Sequence, residues 1–295
     1  MFATQKSCWK WLLCLFRSVS GLINYREQAK IKAYHNEAYL WLPVKKYFAK
    51  GKKLQMLIKT QGIVFRQIKY GETSLIVDIY TRDLGMQRYM VHGVRSRSAK
   101  TKANLYQVLT QLDLDVYHRQ DRDLQRIRDC RLGFVYQQLP FDVRRGAVGM
   151  FIAEVARKTI RGSEENPALY EFLTHTLIHL DRSTHSIANT HLYFLIAFSG
   201  FLGFLPEEPL DEDRSFFDLQ EGIYQREVPS HGYFMGPELS SLFARLQVSG
   251  LSDCHEVGMS RDARHRLLDK LIMFYRLHID HLPDIHAHRI LRTVF

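Results

Sequence analysis

The loop from Arg95 to Lys102 (RSRSAKTK) sets Arg95, Arg97, Lys100 and Lys102 among serine, threonine and alanine, with no acid between them. Arg88 and His92 share one face of the strand-like run that leads into it. Dispersed cations on a rigid support, with small polar neighbours that let a chain come close, are what binding of a phosphate backbone requires. Lys69, at the end of an earlier run, is a further candidate contact. A second group, Arg119, Arg122, Arg126, Arg128 and Arg131, is interleaved with Asp121, Asp123 and Asp129, which weaken its field. Within it Arg126 and Arg128 share a face and are taken as candidates. A merely solvated loop has the same composition, so the spacing alone leaves both readings open. Of the aromatics Phe65, Tyr70, Tyr89, Tyr106 and Tyr117, most suit a core. Tyr70 and Tyr117 are the ones that could stack on bases.

Other chemistry is harder to find. His175 and His179 stand four apart in the segment HTLIH, the spacing of a two-histidine metal face, but the glutamate of an HExxH motif is missing. Solvated or capping roles fit them better, as they do His278, His281, His286 and His288. No Gly-rich phosphate loop, nucleophile elbow or paired-carboxylate arrangement emerges. Cys8, Cys14, Cys130 and Cys254 form no CxxC pair, which argues against a disulfide framework or a four-cysteine zinc site and fits a reducing cytoplasm. The expectation is a protein without catalytic site, metal or cofactor.

The elements that must position the cations follow from periodicity. From Ile63 apolar and polar residues alternate: Leu75, Val77 and Ile79 against Asp78 and Tyr80, and Tyr89 and Val91 against Arg88 and His92. Val108, Leu112, Leu114 and Val116 likewise oppose Gln107, Gln111, Asp113 and Asp115. Turns are expected at Tyr70-Gly71-Glu72, at Arg82 to Gly85 and at His118 to Asp123, with a fifth strand over Leu124 to Phe134. Five short strands without a long hydrophobic run predict a small β-barrel, of which the OB-fold is the commonest oligonucleotide-binding kind. After Pro140 the period becomes helical, with Val148, Phe151, Ile152 and Val155 on one face. Asn166-Pro167 starts the next helix. His191 to Leu205 is apolar almost all round and should be the buried centre of a bundle. An irregular hairpin is expected near 215–236, then helices over Pro237 to Leu246 and Arg261 to His281. The fold class is thus α+β, a five-stranded OB-fold barrel over 56–139 followed by an all-α domain over 140–295.

Charge divides along the same lines. The net charge of +10 in 295 residues is made of +9 in residues 1–55, +6 in 56–140 and −5 in 141–295. A basic first domain joined to an acidic second one suggests that only the first meets polyanions. Residues 1–55 contain the apolar run Trp11 to Phe16, far shorter than a membrane span, so no membrane association is expected. This extension reads as lying outside the natural folded domain, with a start at Met56. A basic interaction tail and a membrane-associating segment are its alternatives.

The run GIVFRQIKYGETSLIVDIYTRDLG, followed by a short strand and GVRS, resembles the opening of the bacterial RecO family of DNA repair proteins. The similarity continues to the C-terminus, where SGFLGFLPE resembles the end of that family's buried helix. The resemblance implies an OB-fold followed by helices, without enzymatic activity. It implies binding of single- and double-stranded DNA, annealing of complementary strands and help in loading recombinase onto protein-coated single strands. Partners would be RecR and the acidic C-terminal tail of single-stranded DNA-binding protein, in a cytoplasmic, nucleoid-associated setting. Basic barrel positions of the family carry over onto Arg88, Arg95 and Arg97. Many members carry a four-cysteine zinc module. Here the equivalent stretch has no cysteine, so zinc is expected to be absent. The alternative is an adaptor whose barrel binds protein rather than DNA.

Overall fold

The structure, a computed structural model, describes residues 56–94, 103–162, 164–209 and 215–295. Arg95, Arg97, Lys100 and Lys102, the whole of 1–55 and most of the acidic loop after Leu205 therefore lie outside the described residues.

Five strands close on themselves: β1 (Met56–Tyr70), β2 (Ser74–Thr81), β3 (Gly85–Val91), β4 (Gln111–His118) and β5 (Leu124–Leu132). Their order around the barrel is β1-β2-β3-β5-β4, antiparallel throughout except for β3 against β5. β1 is 15 residues long because it serves two partners, β4 along its first half and β2 along its second. Alternation in the sequence begins only at Ile63, since the earlier half of β1 carries Lys59, Thr60 and Gln61 at the barrel mouth. Gly62 sits where the two pairings meet. A Cβ there would come within 2.5 Å of Ile79.

The expected faces of β2 and β3 are found. Leu75, Val77, Ile79, Tyr89 and Val91 fill the barrel with Leu112, Leu114 and Val116. The fourth strand starts later than its period suggests, at Gln111. Leu109 takes φ of +77° and its N–H donates to the Val64 carbonyl (2.7 Å), so the chain turns before the strand begins. Val108 accordingly packs against the helices.

A bulge in β1 decides how barrel and helices meet. Val64 pairs with Ile79 and Arg66 with Asp78, which leaves Phe65 as the extra residue. Phe65 turns outward beside Ile63 and stacks on Tyr80, ring centroids 6.1 Å apart. These three outer-wall residues are buried in one core with the helices. The helices are α1 (Val143–Thr159), α2 (Pro167–Arg182), α3 (Thr190–Phe201), α4 (Pro237–Val248), α5 (Arg261–His278) and α6 (His288–Val294). α3 is the buried centre the sequence predicted, with Leu192, Phe194, Leu195 and Phe198 at 0% exposure. α6 escapes the sequence reading, which saw only histidines there. The expected hairpin is a three-stranded sheet, β6 (Phe216–Asp218), β7 (Ile223–Gln225) and β8 (Phe234–Met235), in the order β7-β6-β8.

The segment between barrel and helices is held by one carboxylate. Fully buried Asp181 accepts the N–H groups of Gln137, Gln138 and Leu139 at 2.8–3.1 Å. Burial works against its ionisation, but these N–H donors and the nearby Arg145 guanidinium hold its carboxyl below the usual carboxylate range. Arg145 in turn donates to the Leu180 and Ser183 carbonyls at the end of α2. Asp181→Ala leaves buried donors without an acceptor and should cost about 2 kcal/mol at pH 7 in denaturant unfolding. Because the folded pKa lies below the unfolded one, this contribution is complete above about pH 4 and fades as pH falls further. The variant should therefore lose less stability than wild type between neutral pH and pH ~3.

Candidate nucleic-acid interface

Beyond the Phe65 bulge the outer face of the barrel is free of the helical core, and strand register orders its side chains in rows. Arg66, Asp78, Arg88 and Leu124 are successive partners across β1, β2, β3 and β5. Ile68, Ile76, Met90 and Arg126 form the next row. Tyr70 and Ser74 pair below them, and the Ser74 hydroxyl lies 3.2 Å from His92 Nδ1.

This grid separates the expected contact residues. Arg88, His92 and Arg126 stand on it, all exposed. Arg88 donates to Asp78 at 3.1 Å, so its charge is half-neutralised by a carboxylate that is itself largely buried. The pairing is cross-strand between residues ten apart, which the sequence period does not reveal. Lys69 belongs to the opposite side, because its register partner Leu75 points into the barrel. Arg128 is the extra residue of a second bulge, between Ile127 opposite Val116 and Asp129 opposite Asp115, and is exposed. Arg119 pairs with Asp121 at 3.0 Å and Arg131 with Asp113 at 3.1 Å. Among the aromatics, Tyr70 is 54% exposed, whereas Phe65, Tyr89 and Tyr106 are buried.

Two adjoining clefts run along the β3/β5 pair and share Arg122, Asp123 and Gln125 as walls. The larger, about 740 Å³, lies between the barrel and the end of α1 and is walled by Arg66, Arg88, Arg119, Arg122 and Arg157. Asp78, Asp83, Asp123 and Glu165 are its acids. The smaller, about 500 Å³, is walled by Met90, His92, Leu124 and Arg126. Arg66, Arg122, Arg126 and Arg157 form no ion pair among the described residues. Arg66 and Arg157 were missed from sequence. Arg66 looks like one more alternating polar residue, and Arg157 lies on a helix in an acidic half of the chain.

Among the described residues no group of three or more His, Cys, Asp or Glu is placed to hold a metal, and no helix is long and apolar enough to cross a membrane. His175 is exposed, and His179 is half-buried, its pKa lowered by burial and then by His255, Arg145 and His185. His278 stacks on Phe204 and meets the Leu219 carbonyl, a packing role.

With this geometry in hand, two family models match the chain: Recombination protein O N terminal over residues 56–134 and Recombination protein O C terminal over 140–284. A curated relative from Phocaeicola vulgatus, named DNA repair protein RecO, is 34% identical over 240 residues, covering 81% of this chain and 100% of its own length. Relatives of the same name from Christiangramia forsetii and Bacteroides fragilis are 34% and 31% identical over 241 residues, with the same coverage. The chain belongs to the RecO family.

The barrel owes the shape of its arginine-bearing loop to one buried amide. Gln125, 3% exposed, donates from Nε2 to the Arg119 and Arg122 carbonyls (2.7 and 2.6 Å) and accepts the Arg119 N–H at Oε1 (3.0 Å). It thereby fixes the turn that presents Arg119 and Arg122 between β4 and β5. Gln125→Leu removes all three bonds at similar volume. It should destabilise by about 1–3 kcal/mol. The Arg119 amide should then exchange with solvent at least ~10-fold faster, while the Leu114 and Val116 amides stay protected.

Proposed function

We propose that this chain is a non-enzymatic DNA repair and recombination mediator. Its barrel, read as an OB-fold from the β1-β2-β3-β5-β4 order, binds single- and double-stranded DNA along the β3/β5 clefts. Binding is chiefly phosphate neutralisation, with little sequence preference. Covering phosphates lowers the repulsion between two strands, which promotes annealing, and the same complex helps load recombinase. RecR and the acidic tail of single-stranded DNA-binding protein are its proposed partners, in the cytoplasm at the nucleoid. The observation that carries this reading is the set of four arginines, Arg66, Arg122, Arg126 and Arg157, along one continuous pair of clefts, with no carboxylate partner among the described residues.

The adaptor reading has one observation in its favour: the Arg88–Asp78 and Arg119–Asp121 pairs reduce the field of the same face. One titration separates the two. Fluorescence anisotropy of a labelled oligonucleotide against the full chain, at several salt concentrations, gives the log–log slope of affinity. Replacing all four arginines by alanine should reduce the magnitude of that slope by roughly 3, at ~0.7 per lost phosphate contact on a single strand. An unchanged slope and affinity would leave the barrel as a protein-binding module.

A further inference from the structure

Ile68, Ile76 and Met90 are neighbours across β1, β2 and β3, and with Leu124 beside them they belong to neither hydrophobic core. Ile68 is 37% exposed, and the other three are half-buried against one another's strands. Adjacent strands lie ~4.8 Å apart, so the three β1–β3 residues make an apolar stripe roughly 10 Å long. Rows on one strand face are separated by two residues, or ~6.7 Å. On one side at that distance stand Arg66 and Arg88 with Asp78 between them, and on the other Tyr70 and His92, while Arg126 closes the end.

An apolar stripe edged by cations on a solvent-facing sheet needs a ligand with alternating apolar and anionic parts. A nucleic acid strand is such a ligand, with flat base faces on one side of the sugar and phosphates on the other. In a duplex the base faces are stacked on each other and cannot reach the sheet. Resting on this DNA-binding reading, we propose that the Ile68–Ile76–Met90 stripe is a base-face platform specific for single strands. Phosphates lie over Arg66, Arg88 and Arg126, and the bases lie flat on the stripe with Tyr70 at its edge. Contacts to base faces leave the pairing edges exposed, so a strand held this way stays open to its complement. The platform is aliphatic where most single-strand binders use aromatic rings, so each base gains less and release on pairing is easier.

The test needs no variant at its first step. The full chain is titrated with a thymine oligonucleotide, with an abasic deoxyribose-phosphate chain of the same length, and with a duplex. The thymine strand should bind about tenfold tighter than the abasic chain, with the same salt slope. In a second step Ile68, Ile76 and Met90 are replaced together by alanine, with the fold of the variant checked by circular dichroism at the temperature of the titration. This variant should bind thymine and abasic chains alike and bind duplex as wild type does. If wild type does not distinguish thymine from abasic chains, the platform is refuted while phosphate binding stands. Loss of all DNA binding by wild type would refute the DNA reading itself. Equal loss of duplex and single-strand affinity in the variant would also overturn the platform. So would variant-sensitive capture of an acidic, phenylalanine-containing peptide alongside indifference to bases, which would assign the stripe to a polypeptide.

Discussion

The bulge at Phe65 is the constraint on which the arrangement rests. One residue of excess in β1 turns Phe65 outward with Ile63 and Tyr80, and these three side chains are buried against the helices. Past that point the same strand presents Arg66, Ile68 and Tyr70, which nothing in the helical core covers. A single strand thus builds both the roofed and the open part of the barrel wall. Closing the barrel through β3 and β5 removes the edges that an open sheet would expose and lines up arginines from three strands and a loop.

Around this wall, buried polar groups do the positioning. Asp181 gathers three backbone N–H groups of the segment that leaves the barrel, and Gln125 ties the β4–β5 loop. Both are buried, and both hold backbone partners. Their contribution is geometric: they decide where α1, with Arg157, and the loop, with Arg122, stand relative to the sheet.

Much of the barrel is legible in sequence because β3, the start of β2 and the later part of β4 are covered on one face only, so period two survives. The turns at Gly71 and Gly85 are equally visible, and both glycines adopt positive φ. What is not legible arises from contacts distant in sequence. The first half of β1 lacks alternation. Leu109 ends the apparent period before β4 because its turn is held by Val64. The Asp78 partner of Arg88 is fixed by strand register, which also puts Lys69 on the face opposite Arg66 and Arg88. Arg157 becomes part of the site only because α1 packs on the barrel. The loop from Arg95 to Lys102, the most suggestive stretch in the sequence, lies outside the described residues.

The most direct check is a hydrogen-exchange footprint of the full chain with and without a saturating thymine oligonucleotide. Protection should concentrate in residues 66–70, 86–92 and 118–126 and at the end of α1, and should leave the acidic outer surface of β4 around Asp113 and Asp115 unchanged. Protection confined to α4 and α5, or centred on β4, would contradict this account, because the strand would then be held by a surface that the bulge does not create.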